Sequence, residues 1–212
     1  MTDHDLDPLI ESGVIAVVRA RETTGLTTVA RALVEGGVRA MEITLTTPGA
    51  VDAIAELSRD TGGVLVGAGT VLDASAARSV LDAGARFVVS PTCEMDVIRL
   101  CRERNVPCMP GAFTPTEILA AWRAGAALVK LFPAAVVGPR FLRDLLAPLP
   151  FLRIVPSGGV SLESAGDWIR AGAAAVSVGG ALLDAPPADL AARARAFVAA
   201  VAAARQSLKG VP

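Results

Sequence analysis

Four stretches of this chain leave a helix in nearly the same way: EGGVRA at 35–40, DAGARF at 82–87, RAGAAL at 123–128 and RAGAAA at 170–175. In each, an alanine- and charge-rich segment stops at a glycine, which closes a helix at little steric cost, and an apolar run follows. Apolar runs of strand length recur at 13–19, 40–45, 64–69, 87–91, 106–110, 127–133, 153–157 and 174–179. The segments between them are rich in Ala, Leu, Arg and Glu and run to about 10–15 residues, the length of short helices. Eight strand–helix units whose strands are apolar on both faces predict one parallel α/β domain over residues 1–212, a (β/α)8 TIM barrel. An open doubly wound sheet is the competing architecture. Residues 5–12 are expected to form a short extra helix closing the barrel bottom, and residues 187–206 the last helix.

Composition narrows the class. Apolar residues make up 52% of the chain, enough for a large core. The net charge of −1 and the lack of a basic stripe argue against a nucleic-acid partner. The longest uninterrupted apolar run, 196–204, falls well short of the roughly 18–20 residues that a membrane span needs. The acidic start MTDHDLDPL has no hydrophobic signal core, so a cytoplasmic location is expected. Cys93, Cys101 and Cys108 are odd in number and lack Cys-x-x-Cys spacing, and so read as reduced, structural thiols. There is no tyrosine, and His4 is the only histidine. Proton transfer therefore falls to carboxylates, lysine, hydroxyls or water.

In such a barrel the active site lies at the C-terminal ends of the strands. The sixth expected strand, ALVKLFP, carries Lys130, one of only two lysines beside eighteen arginines; the other, Lys209, is in the tail. Lysine forms a Schiff base with a ketone and arginine does not. Alternation by two groups Leu128, Lys130 and Phe132 on one face. In the second strand Met41, Ile43 and Leu45 suit the helix layer, which turns Glu42 inward with Ala40 and Thr44. Glu42 and Lys130 are then either catalytic groups or a salt bridge bracing the interior. The seventh strand ends in Ser157-Gly158-Gly159 and the eighth in Gly179-Gly180, positions where glycines let backbone N–H groups reach a phosphate. Thr70 is a hydroxyl near the interior or an ordinary turn residue, and Arg19 a substrate-binding or a plain surface cation. Thr114 followed by Glu117 reads as a capping box. The set suits imine chemistry on a phosphorylated keto acid and requires no metal and no cofactor.

Over residues 10–205 the chain resembles the class I 2-keto-3-deoxy-6-phosphogluconate aldolases, often grouped with 4-hydroxy-2-oxoglutarate aldolases. The stretches that carry the resemblance are GGVRAMEITLTTP (36–48), VGAGTV (66–71), SPT (90–92), MPGAFTPTE (109–117), LVKLFPAAVVGP (128–139), VPSGGV (155–160) and VSVGGALL (176–183). The resemblance implies that Lys130 is the Schiff-base lysine and Glu42 the general acid–base. It further implies that Arg19 and Thr70 hold substrate, that Pro91 and Phe132 shape a pyruvate pocket, and that Gly158, Gly159, Gly179 and Gly180 line a phosphate site. A homotrimer is also implied. Thr46 stands where some members have a substrate-contacting arginine. Ser157 replaces a frequent threonine and keeps its hydroxyl; Gly180 replaces a frequent serine and loses one.

The expected reaction cleaves 2-keto-3-deoxy-6-phosphogluconate to pyruvate and glyceraldehyde 3-phosphate. The galactonate-derived epimer and 4-hydroxy-2-oxoglutarate are the alternative substrates. A phosphosugar isomerase or a non-catalytic phosphometabolite-binding protein are alternatives of other classes.

Overall fold

The computed structural model describes residues 7–59, 62–186 and 188–209. His4, the first two residues of the expected N-terminal helix and Pro187 lie outside them. Among the described residues there are nine strands: β1 (Val14–Val18), β2 (Ala40–Thr44), β3 (Leu65–Gly69), β4 (Val88–Val89), β5 (Cys108–Met109), β6 (Gly111–Ala112), β7 (Val129–Leu131), β8 (Ile154–Pro156) and β9 (Val176–Val178). The helices are α1 (Asp7–Ile10), α2 (Leu26–Glu35), α3 (Ala50–Leu57), α4 (Ala74–Asp82), α5 (Met95–Glu103), α6 (Pro115–Ala124), α7 (Gly138–Leu146), α8 (Leu162–Arg170), α9 (Gly180–Leu183) and α10 (Leu190–Lys209).

The strands of the described residues pair in parallel and form two sheets: β5-β4-β3-β2-β1-β9, and β6-β7-β8. The parallel α/β class expected from the sequence is present, with its strands divided between these two sheets. The expected fifth strand, 106–110, ends at Pro110, which has no N–H to continue a ladder, and a further short strand, β6, follows it. Residues before it pair with β4, and those after it pair with β7. Hydrogen bonds cross both gaps between the sheets. Lys130 N–H donates to the Pro110 carbonyl (2.9 Å) and Ala127 N–H to Cys108 (3.0 Å), while Ser157 and Ser177 form a single parallel bridge.

The recurrent helix endings do what their glycines suggested. Gly37, Gly84, Gly125 and Gly172 all have φ between 89° and 104°, a region costly for any residue with a Cβ. The Thr114–Glu117 capping box is present as well, with Pro115 opening α6.

Period-two alternation sorts the strands into two apolar clusters. Met41, Ile43, Val66, Ala68, Val129 and Leu131 pack with the helices. Ile15, Ala40, Phe87, Val89, Met109, Leu128 and Val155 pack with one another on the opposite, inner face. Leu9 of α1 joins this inner cluster and is 1% exposed, so the N-terminal helix closes the end of the interior away from the strand C-termini. Cys101 and Cys108 are buried and Cys93 half-buried, all three as free thiols.

Helix α10 locks that closed end. Arg205 donates to the carbonyls of Glu11 (2.8 Å), Ile10 (2.7 Å) and Ala174 (2.9 Å), tying the C-terminal helix to α1 and to the approach to β9. Arg205→Ala leaves these carbonyls short of a charged donor and is expected to cost about 2–3 kcal/mol. Urea unfolding should show a lower midpoint with an unchanged slope, and an unchanged midpoint would refute the role.

Candidate active site

Glu42 is the third residue of β2, paired in register with Val17 of β1 and Gly67 of β3. Its neighbours Met41 and Ile43 face the helices, so its carboxylate enters the interior just above the apolar cluster. It is 0% exposed, and among the described residues neither carboxylate oxygen has a hydrogen-bond partner. Gly69 makes this placement possible: a Cβ there would collide with Glu42 Oε1.

Lys130 is the middle residue of β7, flanked by the outward Val129 and Leu131. It is 6% exposed, and its Nζ lies 3.8 Å from Glu42 Oε1 and 5.2 Å from the centre of the Phe132 ring. The two charges are close enough to attract but too far apart for a good hydrogen bond. Burial pushes the Glu42 carboxyl above its ordinary value of 4.5, and the positive charges of Lys130 and Arg19 oppose this only in part.

These two groups stand at the base of a cleft of about 430 Å³ at the C-terminal ends of the strands. All the residues singled out from the sequence line it: Arg19, Glu42, Thr70, Pro91, Lys130, Phe132, Ser157, Gly158, Gly159, Gly179 and Gly180. Arg19 follows β1 and is exposed to solvent. Thr70 follows β3 with φ of 59°, a strained conformation for a β-branched residue, which holds its side chain at the cleft wall. Pro91 is packed closely against Gly111, whose missing Cβ leaves room for the Pro91 carbonyl. The Ser157 and Gly158 carbonyls accept hydrogen bonds from Ala134 and Ala135 (2.8 and 2.9 Å), which fixes the loop after β8. Gly179 and Gly180 begin the short helix α9.

The cleft also contains residues that sequence reasoning missed. Ser177 on β9 is 1% exposed, and its hydroxyl has no partner. It shares its face with Ala175 and Gly179, so the alternation applied to strands two and six would have found it. Asp184 lines the outer part of the cleft. No strand period points to it, because α9 alone carries it back towards Gly180.

A sequence profile described as KDPG and KHG aldolase matches residues 7–194. The chain belongs to the KDPG and KHG aldolase family. It is 38% identical to a 2-dehydro-3-deoxy-phosphogluconate aldolase of Pseudomonas aeruginosa over 75% of this chain and 73% of that one. It is 39% identical to a probable 2-dehydro-3-deoxy-6-phosphogalactonate aldolase of Rhizobium meliloti over 82% and 84% of the two chains. A crystal structure of KDPG aldolase from Legionella pneumophila, with pyruvate captured as a covalent carbinolamine, superposes with a TM-score of 0.79 at 26% identity, covering 94% of this chain and 97% of that one. The protein is an aldolase, a carbon–carbon lyase.

In this aldolase the buried carboxyl has a definite pH signature. A carboxyl whose folded value lies above its unfolded value binds its proton more tightly in the native state. Its contribution to stability therefore falls as pH rises from the ordinary value of 4.5 through the raised one. Carboxyl-carbon NMR should show one glutamate titrating above the ordinary range and missing in Glu42→Gln. Lys130→Met removes the larger opposing charge and should move that titration further up; movement downward would contradict the burial argument.

Proposed function

We propose that this aldolase cleaves 2-keto-3-deoxy-6-phosphogluconate to pyruvate and glyceraldehyde 3-phosphate through an imine on Lys130. The observation that carries the proposal is the pairing of a buried amine with a buried carboxyl lacking any hydrogen-bond partner, at the base of a cleft open to solvent. As a mere brace this pair would be poor, because each ion loses several kcal/mol of hydration and the 3.8 Å separation recovers little of it.

The unprotonated Lys130 amine adds its lone pair to the C2 carbonyl and passes one N–H proton to that oxygen; the carbinolamine hydroxyl then takes the proton of the Glu42 carboxylic acid and leaves as water, which gives a protonated imine and Glu42 as carboxylate. Glu42, as carboxylate, removes the C4 hydroxyl proton. The C4 oxygen becomes an aldehyde, and the C3–C4 bonding electrons move into the imine to form an enamine. Glyceraldehyde 3-phosphate departs. The protonated Glu42 then returns its proton to C3 of the enamine, and water hydrolyses the pyruvate imine to free the lysine. Burial serves this exchange, since it raises the Glu42 carboxyl above its ordinary value and so makes the carboxylate a better proton acceptor than an exposed one.

The remaining lining residues take roles suited to their chemistry. Phe132 and Pro91 flank the methyl end of pyruvate, Thr70 and Ser157 supply hydroxyls, and Arg19 offers a cation to the substrate's negative charge. Gly158, Gly159, Gly179 and Gly180 let backbone donors approach the phosphate. We also read the two sheets as one closed (β/α)8 barrel, with β5 and β6 counted as one strand interrupted by Pro110. The hydrogen bonds across both gaps support this reading.

Borohydride added with pyruvate should leave a stable adduct on Lys130, located by peptide mass spectrometry; labelling elsewhere, or none, overturns the proposal. Glu42→Gln should still form that adduct while kcat falls about 10²–10⁴-fold, the range of general acid–base contributions. Values of kcat/KM for the gluconate-derived substrate, its galactonate epimer and 4-hydroxy-2-oxoglutarate identify the preferred keto acid.

A further inference from the structure

The outer end of the cleft holds a carboxylate that the proposed chemistry does not use. Asp184 follows the last residue of α9. Its backbone is held at both ends: its N–H donates to the Gly180 carbonyl (2.8 Å), and its own carbonyl accepts from Arg193 Nη1 of α10 (2.9 Å). The side chain then folds back along α9. A Cβ built on Gly180 would stand 2.6 Å from Asp184 Oδ2, so the carboxylate occupies the space that any side chain at 180 would need. Among the described residues its side chain has no hydrogen-bond or ion-pair partner.

Four charged groups therefore line the cleft. Lys130 and Glu42 sit at its base, and Arg19 and Asp184 line it nearer solvent. Once Lys130 is engaged with the keto end of a substrate, Asp184 is the charged group beside the Gly179–Gly180 turn. A phosphate dianion arriving there meets backbone donors that attract it and a fixed carboxylate that repels it. A hydroxyl arriving there meets the same donors and, in the carboxylate, a good acceptor instead of a repelling charge.

We infer that Asp184 is a specificity-determining residue that limits the enzyme's preference for a phosphate over a hydroxyl at the far end of a 2-keto-3-deoxy acid. Gly180 is its structural counterpart, the residue whose missing Cβ lets the carboxylate stay. The inference rests on the aldolase reading of Lys130 and assigns the substrate class to a different part of the same site.

The test compares 2-keto-3-deoxy-6-phosphogluconate with its unphosphorylated counterpart, in wild type and in Asp184→Asn, which keeps the size and removes the charge. The ratio of their kcat/KM values should shift towards the phosphorylated substrate by about tenfold, the order expected for removing one screened like charge near a dianion. Inorganic phosphate, titrated without turnover, should bind more tightly by a similar factor. Gly180→Ala pushes the carboxylate aside and should shift the ratio in the same direction, yet add nothing in the Asp184→Asn background. Asp144→Asn, an exposed acid on α7 outside the cleft, should leave the ratio unchanged.

A ratio and a phosphate affinity that stay within twofold of wild type in Asp184→Asn overturn the inference. So does a shift towards the unphosphorylated substrate. The borohydride adduct on Lys130 is read separately, so failure of the imine mechanism and failure of the Asp184 assignment give different results.

Discussion

The structure depends on keeping two opposite charges out of water without letting them neutralise each other through a short hydrogen bond. Glu42 and Lys130 come from strands in different sheets and meet at 3.8 Å, both almost fully buried. An ion moved from water to such a place loses several kcal/mol, which the large surrounding core must offset. The apolar inner cluster beneath the pair provides the low-dielectric floor, and α1 seals it through Leu9. Gly69 supplies the void that the carboxylate fills, and any larger residue there would eject it. The consequence of this expense is a carboxyl that gains its proton readily, beside an amine that faces a cleft.

The chemistry of the cleft changes along its length. At its base stand Glu42 and Lys130, fixed on the interiors of strands. Further out the groups sit on loops and on the short α9, where backbone conformation governs what a ligand meets. Thr70 is held in a strained conformation there, and Gly158 and Gly159 both have φ above 80°. The proposed chemistry therefore rests on rigid strands, and the proposed substrate preference on loops. This division explains how one family includes proteins named for different keto acids.

Much of this was legible in the chain. The recurrent glycine endings marked the strand–helix units, because a helix needs a left-handed residue to turn sharply into a strand. Alternation by two turned Glu42 and Lys130 inward without knowledge of any neighbour, because a pleated strand has no other choice once its larger apolar residues face the helices. The fifth strand was read to end at Pro110, and the pairing of Gly111 and Ala112 beyond it was not read, since a proline is tolerated at a strand end and only the partner strand shows where pairing resumes. Ser177 could have been found by the same alternation. Asp184 could not, because its place depends on how α9 and Arg193 hold the chain after the last strand.

The sequence by itself determined the parallel α/β class and the faces on which the ionisable residues lie. These follow from local rules: the geometry of a strand and the permissiveness of glycine. Only the tertiary structure decided that the amine and the carboxylate stand 3.8 Å apart, that neither carboxylate oxygen is hydrogen-bonded, and that a second carboxylate looks into the same cleft. Distances between residues far apart in the chain depend on strand register and on the space that glycines leave empty, and no local pattern encodes them.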